Sequence, residues 1–77
     1  MHEMALTQDL IETIEARCEG RTVLRVILEI GPDTCVLREA FRFCFDACAE
    51  GTIVEGAELV FEEATGDTMR LRAVEVI

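Results

Sequence analysis

The sequence has no lysine and a single histidine, and that histidine is its second residue, in the opening "MHEMALTQDL". Seven arginines against sixteen Asp and Glu give a net charge of −9. That balance argues against nucleic acid and against anionic membrane surfaces, both of which attract basic patches. It is compatible with handling cations. No basic segment followed by a long apolar one opens the chain, so no signal peptide is expected. No apolar stretch approaches the length of a membrane span either. The expectation is a cytoplasmic protein with reduced thiols, in which Cys18, Cys35, Cys44 and Cys48 are free thiols or ligands before they are disulfides. There is no Ser-His-Asp set, no phosphate loop ending in Gly-Lys-Ser/Thr, no cofactor motif and no Cys-x-x-Cys pair, so an enzyme is not expected. Glu62 and Glu63, consecutive in a strand, should point to opposite faces and so cannot work as a carboxylate pair.

What is present fits one small domain over residues 1–77. A chain of 77 residues buries roughly 60% of its unfolded surface, and its 51% apolar content is enough for a modest core. From about Met4 to Cys18, Leu6, Leu10, Ile14 and Cys18 recur every fourth residue beside Ile11. That is one apolar helical stripe, with Thr7, Gln8, Asp9, Glu12 and Glu15 on the wet side. Gly20 is placed to end it. "TVLRVILEI" is rich in β-branched residues. Leu24, Val26, Leu28 and Ile30 should share one face, and Val23, Arg25, Ile27 and Glu29 the other, so it reads as a central strand. "GPDT" breaks the chain, and Asp33 or Thr34 can cap a second helix whose buried stripe is Phe41, Cys44, Phe45 and Cys48. Arg38 and Arg42, with Glu39 and Asp46, should form a solvated flank. Two strands follow, near Glu58–Glu63 and Thr68–Val76. Face parity favours pairing them as a hairpin through "TGD", with Leu59 and Phe61 sharing a face with Met69, Leu71 and Ala73. The expected fold is α+β, with two helices on one face of a mixed three-stranded sheet, in the order α-β-α-β-β, and a right-handed crossover through the second helix.

The leading residues carry the most specific chemistry. Methionine is normally retained ahead of a bulky residue, so a free Met1 amine is expected. That amine, the His2 amide nitrogen once deprotonated, and the nearer His2 ring nitrogen can meet one metal ion. They close a five-membered and then a six-membered chelate ring. Planar nitrogen donors suit Ni(II) or Cu(II), whereas structural zinc takes a tetrahedral cage. The Glu3 backbone or carboxylate, a water or a partner's group can fill the fourth position. Against this stands the ordinary behaviour of a frayed terminus with one solvated histidine. The cysteines read mainly as core: Cys44 and Cys48 are interleaved with Phe in "FCFDAC", and Cys18 closes the first helix's stripe. Cys35, expected near the start of the second helix, could feel its dipole.

"MHEM", "RVILEIG", "FRFCFDACAEGT", "EGAELVFEE" and "GDTMRLRAVEV", in that order and over nearly the whole chain, resemble the HypA/HybF family. The most specific pieces are Met-His-Glu and "EGTIVEGAEL". The resemblance implies a nickel metallochaperone for [NiFe]-hydrogenase and, in some organisms, urease maturation, with transiently bound Ni(II). It implies Met1 and His2 as ligands, with Glu3 joining or tuning the site. Its implied partners are a nickel-handling GTPase of the HypB type and a hydrogenase large subunit or other nickel-enzyme client. It implies a monomer or a segment-swapped dimer. One departure is large: the family inserts a zinc unit of two Cys-x-x-Cys pairs between the last two strands, and here residues 63 to 68 pass directly across. Zinc is therefore not expected. A naturally zinc-less relative and a shortened form of a longer protein both remain open, as does a metal-free adaptor that kept the scaffold.

Overall fold

The computed structural model describes residues 3–77. Five elements follow one another: α1 (Glu3–Cys18), β1 (Val23–Ile30), α2 (Arg38–Ala49), β2 (Glu58–Glu63) and β3 (Met69–Val76). Both helices pack on one face of a three-stranded sheet, as the apolar spacing requires. Ile11 and Ile14 of α1, Phe41 and Phe45 of α2, and Val26, Leu28 and Leu59 of the sheet form the centre of the core. Gly20 adopts φ +82°, the left-handed geometry that stops α1.

The strand order is β2-β1-β3. β1 runs parallel to β2 and antiparallel to β3, so the last two strands flank β1 and do not form the hairpin expected from face parity. The reason lies in β1 itself. Its apolar residues on both faces favour a partner on each side, and the α2 crossover delivers β2 parallel to one edge. The Thr65–Asp67 turn then carries the chain past the end of β1. The Ala64 amide donates to Ile30 O, the Gly31 amide to Thr68 O and the Asp33 amide to Gly66 O. At Gly31 a Cβ would collide with the carbonyl oxygens of Gly66 and Thr65, so glycine is required by close approach of two backbones.

Two irregularities in the β1–β3 ladder correct the expected faces. One falls between Val23 and Arg25, the other between Ile27 and Leu28 where Arg72 is the extra residue on β3. The first turns Val23 into the core, at 2% exposure, and leaves Leu24 at 51%. The second puts Ala73 opposite Ile27, on the charged face and away from Leu71. That face carries ion pairs: Arg25 to Glu58 at 2.9 Å and to Glu75 at 3.2 Å, Arg70 to Glu29 at 2.6 Å, and Arg72 to Glu62 at 2.6 Å. The Arg25 guanidinium is held above its ordinary pKa chiefly by the Glu58 hydrogen bond and then by the charge of Glu75. Arg72 is raised likewise, first by its hydrogen bond to Glu62 and then by that carboxylate's charge.

Candidate metal centre

The candidate nickel site lies at the start of α1. Met1 and His2, two of its three expected residues, fall outside the described residues; Glu3 is the first residue of the helix. Glu3 is half-buried, and its Oε2 accepts from the Leu37 amide at 3.4 Å. This contact ties the leading helix to the entry of α2. An acidic residue in a first helical turn also suits the positive end of the dipole.

The entry of α2 differs from the expected one. Helix α2 starts at Arg38 behind a Leu37 N-cap that makes no side-chain cap. Thr34 is used earlier, in a turn: its hydroxyl donates to Gly31 O at 3.0 Å and accepts from the Val36 amide at 3.4 Å. Cys35 therefore precedes the helix and is exposed, with φ +60°.

Sulfur chemistry gathers one residue beyond Glu3. Cys48 Sγ lies 3.0 Å from Met4 Sδ and 3.6 Å from Thr7 Oγ1. Thr7 was expected on the wet side; it is fully buried because its hydroxyl also donates to Met4 O at 2.8 Å and so satisfies itself. Leu6, Asp33, Thr34, Val36, Asp67 and Met69 line a shallow depression of about 340 Å³ beside this end of α1. Two carboxylates, Asp33 and Asp67, are thus brought together by the turn past β1. No local motif signals this, since they are 34 positions apart (67 − 33). Among the described residues, no group of three or more His, Cys, Asp or Glu side chains is placed to hold a metal ion. Cys18, Cys44 and Cys48 are half-buried, and Cys18 and Cys48 pack against the core.

Arg38 and Arg42 are more organised than a solvated flank. Both guanidinium groups lie over the Phe61 ring, at 5.6 and 5.0 Å from its centroid. Arg42 also donates to Leu59 O at 2.8 Å, and Arg38 pairs with Glu63 at 2.9 Å. Their work is on the β2 edge.

The architecture settles the fold class. Over 100% of this chain and 98% of the other, it superposes on the solution structure of the Ni metallochaperone HypA from Helicobacter pylori, with a TM-score of 0.80 at 16% identity. At that identity the likeness is one of fold: two helices on a mixed three-stranded sheet. Sequence comparison narrows the class to a family. Residues 1–71 match the family described as "Hydrogenase/urease nickel incorporation, metallochaperone, hypA". The hydrogenase maturation factor HypA of Geobacter sulfurreducens is 48% identical over 66 residues, covering 86% of this chain and 60% of that protein. The Nostoc punctiforme factor is 42% identical over 86% of this chain and 58% of its own length. This chain belongs to the HypA family. It spans about three-fifths of the length of these relatives.

Proposed function

We propose that this protein binds Ni(II) through the Met1 amine and the His2 amide and ring nitrogens and hands it on during maturation of [NiFe]-hydrogenase or urease. The observation that carries the reading is the Met-His-Glu start of a chain whose residues 1–71 match a nickel-incorporation family. Three nitrogen donors in fused five- and six-membered chelate rings favour a planar ion over a tetrahedral one. The fourth position is left for the Glu3 carboxylate, a water or an acceptor's group. An open, incomplete coordination sphere suits transfer, because an incoming ligand can enter before the old ones leave. The Glu3–Leu37 contact supports a second role for Glu3: it anchors the first turn of α1 against α2 and so gives the preceding nitrogens a fixed base.

The chain carries no phosphate loop, so any nucleotide-driven step belongs to a nickel-handling GTPase partner of the HypB type. The acceptor would be a hydrogenase large subunit or another nickel-enzyme client. No Cys-x-x-Cys pair occurs in this sequence, and the nickel chemistry of this reading rests on the three nitrogen donors and the group that fills the fourth position.

The test is calorimetric titration of Ni(II) into three proteins: the native chain, His2→Ala, and a chain bearing one extra glycine ahead of Met1. Native protein should bind about one ion, and both altered proteins should lose the binding, since each breaks the chelate. Affinity should also fall as pH is lowered, because amine, amide and imidazole must all give up protons to the solvent on binding. Equal affinities in the three samples would transfer the case to a metal-free adaptor.

A further inference from the structure

We propose that the free edge of β3 pairs with the same edge of a second copy of this chain, antiparallel and in one register, to join two three-stranded sheets into one of six strands. β2 and β3 are the two edges of the sheet, and they are treated differently. On β2 the Arg42 guanidinium occupies the Leu59 carbonyl, and Arg38 bridges to Glu63. Among the described residues, no side chain takes a comparable place along β3. An uncovered eight-residue edge is a template for another strand.

The register follows from the backbone. At one end of β3 the Thr68 carbonyl accepts from Gly31, and at the other the Ile77 amide donates to Thr22, so both groups face β1. Alternation then directs the N–H and C=O groups of Met69 and Leu71 away from β1. Counting back from Ile77, those of Val76 and Val74 point away as well. The extra residue Arg72 makes the two counts compatible. Placed about a two-fold axis between Arg72 and Ala73, the outward groups of Met69 meet those of Val76 of the second copy, and Leu71 meets Val74. Each forms a hydrogen-bonded pair of the antiparallel type, and the axis repeats both.

Side chains agree with that register. Met69, Leu71, Val74 and Val76 lie on the half-buried helix side, while Arg70 and Glu75 lie on the charged face. Arg70 comes opposite Glu75 of the second copy, in the closer, non-hydrogen-bonded position where oppositely charged side chains stabilise a pair. Within each chain Arg70 already contacts Glu29, and Glu75 already contacts Arg25. The junction would therefore continue an alternating row: Glu29, Arg70, then Glu75 and Arg25 of the second copy. A slip of one residue either way sets Arg70 against Val74 or Val76 and mixes the faces, so this register is the one specified.

The test uses charge reversal and mixing. Sedimentation of the wild-type chain, over a concentration series reaching the millimolar range, should show the mass rising from 8.6 kDa toward twice that value. Arg70→Glu alone sets Glu against Glu75 at both symmetric positions, and Glu75→Arg alone sets Arg against Arg70. Each should weaken self-association about tenfold or more. Mixed in equal amounts, the two variants should recover a doubled mass, because every cross-pair is again of opposite sign. Loss of fold in either variant, followed by circular dichroism, would not be rescued by mixing. A wild-type mass fixed at the monomer throughout, or folded variants that do not associate when mixed, would overturn the proposal.

Discussion

Gly31 sits where two backbones meet, against the carbonyls of Thr65 and Gly66. Gly31→Ala should force the turn off the end of β1, at a cost of about 1–3 kcal/mol. In urea the unfolding midpoint should fall by about 1 M or more, and an unchanged midpoint would show the turn to be slack. Single residues also mark where sequence reading stops. Thr7 looks polar by composition, yet its hydroxyl is satisfied by the Met4 carbonyl and it is fully buried. Leu24 looks apolar, yet a ladder irregularity turns it out and Val23 in. Neither outcome is written in periodicity, because each depends on a local hydrogen bond or an extra residue that alternation does not encode. At the candidate site the sequence supplies Met1, His2 and Glu3 as the proposed donors. The neighbours of Glu3 are not written there, since Cys48 and Asp67 reach that end of α1 only through tertiary packing.

The elements themselves were largely legible. Their number, order and type follow from the four-residue stripe of α1, the two-faced β1 and the Phe-rich α2. Pairing was not. Face parity groups Leu59 and Phe61 with Met69 and Leu71 whether β2 and β3 adjoin or lie on either side of β1, so it cannot choose between the two. The β2 edge offers a test of its closure. Arg42→Ala removes both the cover over Phe61 and the donor to Leu59, worth about 1–2 kcal/mol together. In a chain of this size the thermal midpoint should drop by about 4–8 °C for each kcal/mol lost. Arg42→Lys should restore only part of it, since an ammonium cannot stack as a planar guanidinium does. Cysteine chemistry divides by element too. Under an aromatic disulfide reagent, Cys35 in its exposed turn should react first, and Cys18, Cys44 and Cys48 only as the helices open. Cys35→Ser should abolish the fast phase, and its persistence would mean that α2 is looser than its packing indicates.

For the whole molecule, one sheet face bears the core and the other a lattice of arginine–carboxylate pairs. The net charge of −9 is thus not spread evenly; the sheet's open face is close to balanced, and the surplus acid falls on the helices and turns. The strand order has a consequence for growth of the fold. β2 and β3 leave the same end of the sheet with β1 between them, so their stumps stand about 10 Å apart, two strand spacings. A module grafted there would rest on two footings straddling the middle strand, and its tilt would be tied to the sheet like a bridge deck on paired piers. A graft on a hairpin would swing from a single pivot.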